Sequence, residues 1–199
     1  MARYIGPKVK LSRRVGVPVE NNPKHTSKRQ LTYPGMHGFR GRRLRDYGVR
    51  LQEKQKVRFH YSVLEAQFRR YMAEASRMTG NTGELLMRLL ESRLDNVIRR
   101  CGMARTIWAA RQIVAHGHVL VNGRKTDRPS YAVNPGDIIT LKPKIQKLVR
   151  ENMESLGGHE VPQWLDFNPG ELQCRVVAMP TSDQIPFDVN PNLIVEFYR

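Results

Sequence analysis

Residues 93–131 read RLDNVIRRCGMARTIWAARQIVAHGHVLVNGRKTDRPSY, and this stretch decides the fold. At about 100° per residue, Leu86, Leu90, Leu94, Val97 and Cys101 fall on one side of a helix. Arg93, Asn96 and Arg100 form a polar stripe along the edge of that side. Asp95, four residues before Arg99, is expected to pair with it along the helix. A second helix is predicted to start at Thr106, whose hydroxyl can cap a free backbone N–H. On it Ile107, Ala110, Ile113 and Val114 face inward, while Trp108, Arg111, Gln112 and His116 point away. Gly117 suits the left-handed position just past a helix end. His118–Val121 follows as a short strand, and Asn122-Gly123 is a two-residue hairpin signal. Two helices running into a hairpin bring a positive helix end together with Arg105, Arg111 and Arg124, a surface suited to phosphate.

Upstream, the pattern changes twice. Pro7, Pro18, Pro23 and Pro34 interrupt any long helix in the first forty or so residues, and five glycines add turns, so this part reads as an arm that orders against a partner. Residues 50–79 form one long helical pattern in which Val57, Tyr61, Leu64, Phe68, Ala75 and Met78 recur at helical spacing. That aromatic stripe reads as core rather than as a base-stacking platform. Gly80 ends the helix, and Asn81 with Glu84 caps the next. Downstream of the hairpin, residues 134–137 (NPGD) make a turn, Ile138–Leu141 a strand and Lys144–Leu156 a helix. Glu171–Ala178 and the closing Leu193–Phe197 read as strands. Helices early and a small sheet late define an α+β class.

The charge is strongly positive and unevenly placed. The 199-residue chain carries a formal net charge of +16. Residues 1–50 hold 13 Lys/Arg against 2 Asp/Glu, whereas the last 49 residues hold 2 against 8. A polyanion is the direct inference for the basic three quarters. No segment has the apolar length of a spanning helix or the apolar core of a signal peptide, so a cytoplasmic setting is expected. Catalysis finds no support: there is no phosphate-cradling P-loop, zinc-protease pair or nucleophile elbow. Cys101 and Cys174 are far apart in sequence, and Cys101 sits on the apolar side of its helix as a buried reduced thiol. His116 and His118 lack further metal ligands nearby and read as RNA contacts or surface residues.

The segment 93–131 resembles the S-four RNA-binding domain, also called the alpha-L motif. The likeness extends from end to end: MARYIGPKVKLSRRVG, HGFRGRRLRDYGVRLQEKQKVRFHY, GNTGELLMRLLESRLDN and NPNLIVEFY all resemble the S-four family of small-subunit ribosomal proteins. The resemblance implies a basic arm (1–44), a helical lobe (45–90, joined by 186–199) and a second lobe (91–185). In the second lobe, two helices pack on a small, mainly antiparallel sheet, and the RNA-binding module spans about 91–155. It implies a structural constituent of the small subunit that binds a helical junction in the 5′ region of its ribosomal RNA and nucleates assembly of the subunit body. It further implies a contribution to decoding accuracy beside ribosomal protein S-five. Some members carry a cysteine-rich zinc site near the N-terminus. Residues 1–50 contain no cysteine, so neither zinc nor another cofactor is expected. The competing readings are a free RNA-binding factor in ribosome rescue and an RNA-modifying enzyme that uses the same module.

The candidate RNA contacts of the module are Arg93, Asn96, Arg105, Arg111, Gln112, His116, His118, Asn122, Arg124, Lys125 and Arg128. Guanidinium forks match phosphate oxygens, and amides reach base edges or ribose hydroxyls. Asn122 has an alternative role as part of the turn alone. Upstream candidates are Arg3, Lys8, Lys10, Arg13, Arg14, Arg50, Lys54, Lys56 and Arg58. By resemblance, residues matching Arg40 and Arg43 lie near the mRNA entrance beside ribosomal proteins S-three and S-five, and Arg42 and Arg45 continue that run. Plain neutralisation of ribosomal RNA is the alternative for these four.

Overall fold

The computed structural model describes residues 4–20, 31–40, 43–157 and 159–199. These form helices α1 (Lys8–Val15), α2 (Asp46–His60), α3 (Glu65–Arg77), α4 (Thr82–Glu91), α5 (Leu94–Arg100), α6 (Ile107–Ala115), α7 (Pro143–Leu156) and α8 (Pro191–Tyr198). The strands are β1 (Val119–Val121), β2 (Arg124–Thr126), β3 (Ile138–Leu141), β4 (Leu165–Asn168) and β5 (Gln173–Val176). The class is α+β, as the sequence predicts. The chain divides into two units, one of residues 1–86 with 187–199 and one of residues 87–186. No described helix is long and apolar enough to cross a membrane.

The first unit is helical. Its N-terminal part is not all extended: α1 buries Leu11, Ser12 and Val15. Gly16 closes α1 at φ 73°, the left-handed region, with its N–H donating to the Ser12 carbonyl. The Ser12 hydroxyl takes the Val19 N–H at 3.1 Å, and Arg13 donates to the carbonyls of Thr32 and Tyr33 at 2.9 and 3.1 Å. The long helix predicted over residues 50–79 is two helices. Ser62, at φ 51°, turns the backbone between α2 and α3. Val57, Tyr61 and Phe68 are buried about that turn, whereas Leu64 and Met78, expected in the same stripe, are exposed. The predicted closing strand is helix α8. Asn190 caps it by accepting the Asn192 N–H, and Pro191 fills its first turn, two local signals that outweigh the β-branched content of the segment.

α8 packs along α2, and a carboxylate ties that pairing to α3. Glu65 accepts from Lys54 Nζ (3.1 Å), Arg58 (3.0 Å) and the Tyr198 hydroxyl (2.8 Å). Burial pushes the Glu65 carboxyl up, but these three hydrogen bonds together hold it below its ordinary value of 4.5. Burial and the Glu65 carboxylate push the Tyr198 hydroxyl up. Lys54 also lies over the Phe197 ring, 4.2 Å from its centroid.

In the second unit the five strands form one antiparallel sheet in the order β2-β1-β3-β5-β4. Strand alternation sends Val119, Val121, Ile139, Leu141, Cys174 and Val176 inward, where they join Leu94, Val97, Ile98, Ala110, Ile113 and Val114 from α5 and α6. Val149 from α7 and Trp164 complete this core. Pro143 at the first turn starts α7 directly after β3.

A lowered folded-state pKa for Glu65 contributes stability that is present above its unfolded value and lost as pH falls through the folded one. Glu65→Gln is therefore expected to cost about 2 kcal/mol in urea denaturation at neutral pH. The gap to the wild type should narrow steadily as the pH is lowered below 4.5.

Candidate nucleic-acid interface

The helix predicted to run unbroken through Leu86 and Cys101 stops at Glu91 and restarts at Leu94. Arg93 is extended (φ −70°, ψ 138°) and bridges Ala132. The backbone groups freed at this break are taken up by the loop that leaves β2. Val133 N–H donates to Ser92 O (2.9 Å), Leu94 N–H to Tyr131 O (2.8 Å) and Asp95 N–H to Pro129 O (3.2 Å).

A buried ion pair sits at this junction. Arg93 grips Asp95 bidentately, Nε to Oδ1 at 3.0 Å and an Nη to Oδ2 at 2.6 Å, with the two side chains 1% and 0% exposed. Asp95 Oδ1 also accepts the Asn96 N–H, and an Arg111 Nη lies 3.9 Å from Oδ2. Asp95 thus pairs with Arg93 and approaches Arg111, instead of pairing with Arg99 as its spacing suggests. Beside it, Asn96 Nδ2 donates to the Glu91 carbonyl and carboxylate (3.0 and 2.7 Å), and Arg100 Nε reaches the same carboxylate at 3.0 Å. Arg93 and Asn96, each 1% exposed, spend their donors inside the protein and drop out of the RNA contacts expected from sequence. Arg111, predicted to point away, is also buried.

The exposed donors lie further along. Thr106 caps α6 by accepting the Ala109 N–H at 3.1 Å, as its position predicts. Arg105 before the cap, Gln112 on α6 and His116 at its C-terminal cap are exposed. Asn122 and Gly123 take φ 50° and 76°, the two left-handed residues of a tight hairpin. Asn122 itself is occupied: its Oδ1 accepts the Ile138 N–H (2.9 Å) and its Nδ2 donates to Asp137 (2.8 Å). Arg124, Lys125 and Arg128 are exposed beyond the turn, and the Lys125 chain lies against Gly117, where φ is 70°. His118 is half-buried. Burial lowers its pKa below 6.5, and the charges of His116, Lys144 and Lys142 lower it further. Lys142 and Lys144 are not among the residues that the sequence pattern singles out, and the run Lys142-Pro143-Lys144 at a strand end is the local signal for them. The Lys142 N–H donates to the His118 carbonyl at 2.9 Å, which brings this basic corner beside the end of α6.

In the first unit, Lys8, Lys10, Arg14, Arg40, Arg43 and Arg45 are exposed, and Arg13 is half-buried. Arg50 pairs with Glu196 at 2.8 Å, Lys56 with Glu53 at 2.6 Å and Arg58 with Glu65 at 3.0 Å. Lys54 is 4% exposed and held by Glu65 and Phe197, so it cannot contact RNA as expected. Arg3 and Arg42 lie outside the described residues. Cys101 and Cys174 are both buried, with their sulfurs 2.7 Å apart, so the two cysteines that look unrelated in sequence are neighbours. Among the described residues no three His, Cys, Asp or Glu side chains are grouped to hold a metal ion.

The two-helix-and-hairpin scaffold carries a basic outer edge, and comparison with known proteins gives its class. Residues 3–91 match the family model described as the ribosomal protein S4/S9 N-terminal domain, and residues 92–139 match the S4 domain. The small ribosomal subunit protein uS4 of Persephonella marina is 48% identical over 204 residues, covering 100% of this chain and 99% of its own length. Its counterpart in Sulfurihydrogenibium is 49% identical over 203 residues, and that in Akkermansia muciniphila 48% over 202, with the same coverage. The chain belongs to the ribosomal protein S4 family, which is not an enzyme family.

Two outcomes are expected from the geometry. Asp95→Asn leaves Arg93 buried without its counter-charge and should cost about 3–5 kcal/mol by urea denaturation. A loss below about 1 kcal/mol would remove Asp95 from its structural role. For His118, an NMR titration should give a midpoint below 6.5, rising when Lys142 and Lys144 are both changed to Ala. Because the fold favours the neutral ring, acidification through the unfolded-state value should erode stability.

Proposed function

We propose that this chain is a structural constituent of the small ribosomal subunit, which grips the phosphates of small-subunit ribosomal RNA through the basic edge of its second unit. The observation that carries the reading is the set Arg105, Arg124, Lys125 and Arg128. All four are exposed, and none forms an ion pair with another described residue, whereas Arg93 and Arg111 are committed to Asp95. Cations held in a fixed array on rigid helices and a hairpin neutralise phosphates without reorganising first. Exposed Lys8, Lys10 and Arg14 add a second basic surface, so that linked contacts reinforce one another.

Membership of the family supports a finer role. The protein binds a helical junction in the 5′ region of the ribosomal RNA, nucleates assembly of the subunit body in the cytoplasm and contributes to accuracy beside ribosomal protein S-five. The exposed run Arg40, Arg43 and Arg45 faces mRNA near its entrance, close to ribosomal protein S-three. The role is non-enzymatic. Similarity over the whole length to small-subunit proteins favours this reading over a rescue factor or a modifying enzyme.

Filter binding to a transcript of the 5′ region of small-subunit ribosomal RNA tests the interface. The triple variant Arg105→Ala, Arg124→Ala, Lys125→Ala should bind more weakly with unchanged circular dichroism. Its log–log salt slope should flatten by roughly 2, since each lost contact removes about 0.7–0.9. An unaltered slope, or equal wild-type affinity for an unrelated transcript of the same length, would overturn the assignment.

A further inference from the structure

We propose that Cys101 and Cys174 are a covalent modification site, at which a hydroperoxide closes a disulfide that staples α5 to β5. The two residues stand 73 positions apart in sequence, yet their sulfurs approach to 2.7 Å in the core of the second unit. Regular structure holds the backbone at each residue. Cys101 caps the C-terminus of α5, its N–H donating to the Val97 carbonyl at 2.9 Å. Cys174 is central in β5, paired with Ile139 of β3 on one side and Phe167 of β4 on the other. Regular structure on both flanks therefore holds the sulfurs together, and the closed core leaves Cys101 only 1% and Cys174 0% exposed.

The chemistry needs the core to open. Burial pushes the Cys101 thiol up, and the neighbouring Cys174 adds to it, so the reactive thiolate is scarce in the closed fold. Oxidation therefore belongs to the folding chain or to local openings of α5 or β5. One thiolate attacks the hydroperoxide: an S–O bond forms, the O–O bond breaks, and the departing oxygen takes a proton to leave as an alcohol or water. The second thiolate then attacks the sulfenic sulfur. The S–S bond forms and the S–O bond breaks, with its oxygen leaving as water. Two thiols are oxidised by two electrons and the hydroperoxide is reduced by two. Once the core closes, reductants are excluded from the bond.

The staple has a structural consequence. The S4-domain match spans residues 92–139, so Cys101 lies inside it and Cys174 in the strand pair beyond it. The bond would fasten the RNA-binding module to the strands that follow it, and closing a long loop restricts the unfolded chain.

The test uses the full-length protein, refolded from urea with hydrogen peroxide, then denatured without reductant, treated with N-ethylmaleimide and weighed intact. The expected product is a monomer lighter by two hydrogens that takes up no maleimide. After dithiothreitol in denaturant it should take up two. Its melting temperature should exceed that of the reduced protein by roughly 5–15 °C. Two maleimide adducts on the peroxide-treated monomer, oxygen retained on sulfur, or disulfide-linked dimers would each overturn the proposal. Cys174→Ser, oxidised in the same way, should retain oxygen on Cys101 or form dimers, because the intramolecular partner is gone.

Discussion

The second unit depends on a carboxylate placed where water cannot reach it. Asp95 is fully buried at the point where the helical backbone breaks, and a buried carboxylate is tolerable only when its charge and lone pairs are met. Arg93 meets it from the preceding residues, the Asn96 N–H from the helix it starts, and Arg111 approaches it from α6. One side chain thus fastens two helices at their junction. The same break frees the backbone groups onto which residues 129–133 dock, which returns the chain from the hairpin to the helices.

The net charge of +16 overstates what a polyanion can meet. In the first unit Arg50, Lys54, Lys56 and Arg58 are matched by Glu196, Glu65 and Glu53, and the Asp188 carbonyl takes a further hydrogen bond from Lys56. Part of the acidity of the last 49 residues therefore answers the unit's own basic helix α2. In the second unit Arg93, Arg100 and Arg111 are turned inward. The N-terminal helix and the hairpin edge each keep exposed cations, as do Arg69, Arg70 and Arg77 on α3 and Lys144, Lys147 and Arg150 on α7.

Features governed by nearest neighbours were legible in the sequence. The Thr106 cap, the Asn122-Gly123 turn and the Gly117 terminator each need only their own backbone geometry, and each is where the residues predicted. Features decided by distant contacts were not. In sequence the apolar spacing crosses both helix breaks, although Leu64 beside the first of them is exposed. Neither the left-handed Ser62 nor the extended Arg93 changes that period. Arg93 and Asn96 look like surface donors until the carboxylates of Asp95 and Glu91 are seen to face them in the interior. The cysteine pair was hidden for the same reason, since only the packing of β5 under α5 brings residues 101 and 174 together.

The exposed cations of the hairpin owe their arrangement to the residues that shape its turn. The Asn122 amide clamps the hairpin onto β3, its Oδ1 accepting the Ile138 N–H and its Nδ2 donating to the Asp137 carboxylate. That clamp fixes where Arg124 and Lys125 leave the turn. Gly117, without a side chain, lets the Lys125 stem lie across the end of α6. Ordering a long basic side chain costs entropy, and a cation already laid along the fold loses less of it on meeting a phosphate. The exposed cations of the hairpin are thus placed by a tight turn and by a side-chain clamp at the edge of the sheet.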